Sequence, residues 1–166
     1  MKTNNKLAKE LAIGGFAGLI GGFALAGAAQ IMYNLTSKQK KLEEKSIEPR
    51  DPFIVLADKL QKLTGVKVND EQKKVFEQCV ATTMGIGAGV AYAALARKWE
   101  LDWLTKGAVF GTLFWLVEDE GMGTALGLFG DNTKYPLEAH VRGLVAHVAF
   151  GVVTASIHKA CMDSQK

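Results

Sequence analysis

The stretch from Leu11 to Tyr33 contains 23 residues without one Asp, Glu, Lys or Arg, and such a run admits few folds. As a helix it is about 35 Å long, enough to cross a hydrocarbon core about 30 Å thick. Lys2, Lys6, Lys9 and Glu10 precede it, and Gly14, Gly18 and Gly22 recur every four residues inside it. That GxxxGxxxG ladder lets another helix approach closely in lipid, where no hydrophobic drive pulls helices together. A cleaved signal peptide is the competing reading, with Ala26 to Ala29 as a small-residue cut site. The run exceeds the roughly 7 to 15 residues of a signal core, which favours a spanning helix.

Elsewhere the polar residues are blocked rather than interspersed, so a mean hydropathy of +0.08 conceals a membrane pattern. A chain of 166 residues is one domain or one small bundle. Its net charge of +3 comes from bases alternating with acids, which leaves no basic face for nucleic acid. Cys79 and Cys161 lie in or beside apolar segments without a CxxC partner, as structural thiols do.

Residues 37–77 form a polar helical insert. Ser37 to Lys45 reads as a solvated extension of the first span. Asp51 and Pro52 read as N-cap and first helical position, and Gly65 as the stop. Between them Phe53, Leu56, Leu60 and Leu63 make one apolar stripe that covers the span ends, the membrane surface or a partner. Asn69-Asp70-Glu71 opens a helix that runs into a second span, residues 78–96, where Gly85, Gly89 and Ala93 repeat the small-residue face. The Gly-rich stretch Gly85 to Gly89 is no phosphate loop, because it lacks a preceding strand and a following Lys-Ser/Thr pair. Arg97, Lys98 and Trp99 close the span as an interfacial belt.

A third span, residues 104–129, is interrupted near 118–123 by Glu118, Asp119 and Glu120, acids that are costly at lipid depth without a partner. Neighbouring helical side chains diverge by about 100°, so one or two of the three are expected to pair and the third to stay solvated. A fourth span, residues 137–158, follows Tyr135-Pro136. It carries His140, His147 and Thr154 every seven residues, with Gly143 and Gly151 on the same side and Arg142 near the entrance. Chain order sets the acids against His140, Arg142 and His147, as adjacent antiparallel helices would. The expected fold is therefore all-α: an integral membrane bundle of about four helices with a polar insert between the first and second.

Asp119 to Leu128, Tyr135-Pro136, Ala139 to His147 and Gly151 to Thr154 resemble the YagU-like family of small bacterial inner-membrane proteins. The likeness extends more weakly through Pro49 to Pro52 and the second span around Gly85, Gly89 and Tyr92. It implies a multi-span inner-membrane protein and no established catalytic residues. Where the family pattern has a histidine near the start of the second span this chain has Ala81, which counts against a scheme of three intramembrane histidines.

Two functions follow. The first is a non-enzymatic structural or accessory membrane component that packs through its glycine faces, as a homo-oligomer or in a larger complex, with acids paired to Arg142 and His140 as a lock. The second is a proton- or ion-linked transport element using Glu118, Asp119, Glu120, His140 and His147. No HExxH and no nucleophile–base pair stands out, so neither a catalytic residue, a metal ligand nor a cofactor is assigned. The expected location is the bacterial inner membrane with both termini cytoplasmic, on the bases near Arg97 to Lys106 and at the amino terminus.

Overall fold

The computed structural model describes residues 2–47 and 50–164, the side chains of residues 2–4 excepted; Pro49 lies outside them. The described residues form helices α1 (Lys2–Leu35), α2 (Lys38–Ile47), α3 (Pro52–Thr64), α4 (Asp70–Ala96), α5 (Trp103–Trp115) and α6 (Leu137–Asp163). A π-helical segment, Leu116–Gly123, continues α5, and a 3₁₀ turn at Asn132–Lys134 precedes α6. No strand occurs among the described residues.

Local chemistry sets the boundaries. The Asp51 side chain accepts from the Phe53 and Ile54 amides with Pro52 in the first turn, and Gly65 ends α3 at φ 74°, a left-handed conformation that glycine adopts without a Cβ penalty. Asn69 and Gln72 form a reciprocal capping box, and Asp70 and Glu71 occupy the positive first turn of α4. α4 then runs unbroken from its polar start through the uncharged segment.

Three helices are long and apolar enough to cross a membrane: Asn5–Leu35, Asp70–Ala96 and Leu137–Asp163. Only 28%, 33% and 33% of their most apolar windows are buried inside the protein. The remainder presents side chains such as Phe16, Phe23, Ile31 and Val145 outward, a surface suited to lipid and far too apolar for water. α5, with 13 residues, is too short to join them by itself.

α1 packs antiparallel against α4 and α6, and α5 packs antiparallel on α6, with glycine at each close crossing. A Cβ on Gly18 would lie 2.6 Å from the Gly89 Cα, and one on Gly14 would lie 2.5 Å from the Ala93 Cβ. Gly107 and Gly111 do the same for α5, meeting Val152 and Val148 backbone at 2.8 and 2.9 Å. Gly22 differs from its ladder mates: nothing lies within 4 Å of where its Cβ would be. A Cβ on Gly85 would still lie 3.9 Å from the Gly22 Cα, so α4 remains near at that level while the Cβ position of Gly22 itself faces open space.

The amino and carboxy ends and the α4–α5 loop share one end of the bundle, and the insert caps the other. Here the structure differs from the expected extension of α1. The chain bends at Thr36 and Ser37, Ser37 Oγ accepts the Lys40 amide at 3.4 Å, and α2 turns back toward α6. α3 lies against α4 through Lys73–Asp58 at 2.8 Å, and Lys59 Nζ donates to the Leu126 carbonyl at 2.5 Å. These are contacts of the polar side chains of α3, while Leu60 and Leu63 of its apolar stripe remain exposed.

Candidate functional site

His147 lies ten residues into α6, about 15 Å along the helix, and its side chain is 5% exposed. Its Nδ1 donates to the Gly143 carbonyl at 2.9 Å, the bond that fixes the ring. Nε2 is thereby turned to Glu118 Oε2 at 3.2 Å. With Nδ1 protonated, that contact is a hydrogen bond only if Nε2 or the carboxyl also holds a proton. Asp119 Oδ2 stands 3.7 Å from Nδ1 and close over Gly143, where a Cβ would come within 2.7 Å of it. Nearer the mouth His140 Nδ1 meets Glu120 Oε1 at 2.6 Å, and Glu120 Oε2 accepts from Asn132 Nδ2 at 2.5 Å.

All three acids therefore turn toward α6, where the sequence led us to expect one of them to remain solvated. The cause is the π-helical turn at 116–123: its i→i+5 bonding advances less than 100° per residue, so consecutive side chains fan over a narrower arc. Asp131 orders the loop that brings Asn132 to Glu120. It accepts from Thr133 Oγ1 at 2.7 Å and pairs with Lys134 at 3.2 Å, contacts that hold its carboxyl below the usual range.

Arg142 has a different partner from the expected acid trio. Two positions on from His140 it points some 200° away from that seam, and its guanidinium forks onto Glu44 of α2 at 2.7 and 3.1 Å. It also lies over the Tyr33 ring, 5.3 Å from the centroid. Glu44, buried on an otherwise charged helix, was invisible in sequence because its partner is 98 residues away.

Between these groups lies a cleft of about 260 Å³, walled by Leu25 and Ala29 of α1, Trp115, Phe129 and Tyr135, with Asp119, Glu120, His140, His147 and Arg142 as its charged and titratable lining; Glu118 stands behind His147, outside the lining. Leu25 and Ala29 sit roughly 6 to 12 Å below Tyr33, the last residue of α1's uncharged run, so the cleft reaches from the insert end toward mid-depth. Inward of His147 the interior turns aromatic. Phe114 packs edge-on to the His147 ring at 5.4 Å and against Phe110 and Phe150 at 6.1 and 5.4 Å, and Tyr92 meets Phe110 at 5.4 Å.

A second polar group, which sequence reasoning did not assemble, occupies the opposite end. His158 packs edge-on against Tyr92 at 5.6 Å with Glu10 and Lys106 as charged neighbours, and Glu10 pairs with Arg97 at 3.1 Å. Lys106 Nζ donates to the Ala96 carbonyl at 2.9 Å. The signal available was His158 standing four residues beyond Thr154 on the same face of α6. Among the described residues no group of three or more His, Cys, Asp and Glu side chains converges on a common metal position. No protein-family model, curated protein or solved structure matches this chain.

Proposed function

We propose that this is a four-span membrane protein whose acid–histidine cleft loads protons from the insert end, making it a proton-linked transport element. One observation carries the reading: three carboxylates face two imidazoles, and among the described residues no Lys or Arg side chain is bound to any of them, since the guanidinium at the rim is committed to Glu44. At this depth an uncompensated carboxylate is costly, and shared protons are what relieve it. The charge of the cluster then follows proton supply. The fourth span is α5 with its π-helical continuation, which runs from Trp103 to Gly123 over about 30 Å.

The accessory-component reading loses support from the same packing. Gly14, Gly18, Gly85 and Gly89 are consumed within the chain, and the Arg142–Glu44 pair already ties the helices together. With the bases at residues 6, 9, 97, 98 and 106 in the cytoplasm of a bacterium, the cleft opens outward, toward the more acidic side of its inner membrane.

Proteoliposomes loaded with a pH-sensitive dye provide the test. Wild-type protein moves protons down an imposed pH gradient, and Glu118→Gln, folded to the same helicity, loses that flux. Wild-type vesicles no leakier than protein-free vesicles sink the proposal.

A further inference from the structure

We propose that the polar seam of α6 continues past the aromatic layer, with Thr154 as its middle step and His158 with Glu10 as a second mouth at the terminal end. This rests on the proton-linked reading above. Thr154 and His158 follow His147 at seven and eleven residues, within about 40° of one line down the helix. Along that line Thr154 is wholly buried and its Oγ1 has no hydrogen-bond partner among the described residues. His158 Nε2 is likewise buried and without a hydrogen-bond partner among the described residues, although the ring also bonds the Glu10 backbone. A buried hydroxyl is normally satisfied, so two orphaned polar atoms in series between two charged clusters mark a place that polar partners visit transiently.

Glycine makes the passage narrow. Gly21 of α1 faces Thr154 Oγ1 directly, and a Cβ there would collide with it. Phe110, Phe114 and Phe150 close the space between His147 and Thr154, a hydrophobic constriction of the kind that gates by excluding water. Helical rise puts Thr154 about 10 Å beyond His147 and His158 about 6 Å further, spans of a few waters each.

When Phe150 swings aside, a short water file joins the three groups. The proton held between His147 Nε2 and Glu118 is released to the file from the carboxyl, which is reprotonated from the cleft; Thr154 Oγ1 accepts one and donates its own onward, and His158 Nε2 takes it. The proton leaves past Glu10, so one proton enters and one departs with no redox change. The charged groups facing His147 are Glu118 and Asp119; those facing His158 are Glu10 and Lys106, with Arg97 on Glu10.

The test compares wild type, Glu118→Gln, Thr154→Val, Thr154→Ser and Phe150→Ala for proton flux in proteoliposomes. Thr154→Ala is included in case valine strains the Gly21 contact. Thr154→Val and Thr154→Ala are expected to lower flux by at least about tenfold, Thr154→Ser to retain it, and Phe150→Ala to raise it. Proton uptake by detergent-solubilised Thr154→Val is expected to match wild type, since the cleft is untouched. Unchanged flux in both hydroxyl-lacking variants, alongside lost flux in Glu118→Gln, overturns the second mouth while leaving the cleft reading intact. A non-conducting wild type overturns both.

Discussion

Removing Glu44 tests how the insert is fastened to the spans. Its carboxylate accepts two bonds from Arg142 at 2.7 and 3.1 Å, and the two side chains are 10% and 17% exposed. Each charge-assisted bond contributes roughly 1.5 to 3 kcal/mol, and breaking a buried pair by deleting one partner costs roughly 3 to 5 kcal/mol. The residual exposure and the Tyr33 face beneath the guanidinium soften the loss, so Glu44→Ala is expected to cost about 3 kcal/mol. Glu44→Gln, which retains one neutral acceptor, costs about 2 kcal/mol. Arg142→Met paired with Glu44→Ala leaves no orphaned charge, and the double variant recovers about 2 kcal/mol of the summed losses. Reversible unfolding in mixed micelles, followed by helicity at increasing SDS fraction, reads these three and Arg142→Met alone, which closes the cycle. A coupling below about 0.5 kcal/mol would refute the claim that this pair fixes α2 on α6.

Other perturbations separate the remaining contacts. Gly18→Val pushes into the Gly89 backbone and is expected to destabilise by about 3 kcal/mol or more, whereas Gly22→Ala, with nothing within 4 Å, stays within about 0.5 kcal/mol in the same titration. Asn69→Ala removes one side of the capping box and costs about 1 kcal/mol, measured as lost protection of the Gln72 amide in hydrogen exchange. Lys73 and Arg50 hold the Asp58 carboxyl down to about 2. Because that pKa is depressed in the fold, its contribution is complete above the unfolded value near 4 and fades as pH falls toward 2. The distance between spin labels on α3 and α4 is therefore expected to lengthen over that window, and Asp58→Asn to abolish the pH dependence.

What was legible in the sequence was local. Asp51-Pro52, Gly65 and Asn69 each satisfy backbone groups within a few residues, so their roles follow from residue type and position. The uncharged runs likewise dictate long helices whatever surrounds them. Glu44 was hidden because its value depends on a bend at Thr36 and Ser37 that swings α2 back across the bundle. The acids' common orientation was hidden too, since a π-helical turn leaves no signature in spacing. His158 looked like the tail of a span until α1 placed Glu10 beside it.

The most direct measurement on the cleft is ¹⁵N NMR of His147 in lipid bilayers as pH is varied between about 5 and 8, where imidazole charge changes occur. The predicted result is that Nδ1 stays protonated on the Gly143 carbonyl while Nε2 responds to pH, and that Glu118→Gln alters the Nε2 response alone. Both nitrogens fixed across the range, or an Nε2 signal indifferent to Glu118→Gln, would contradict a proton shared by His147 and Glu118.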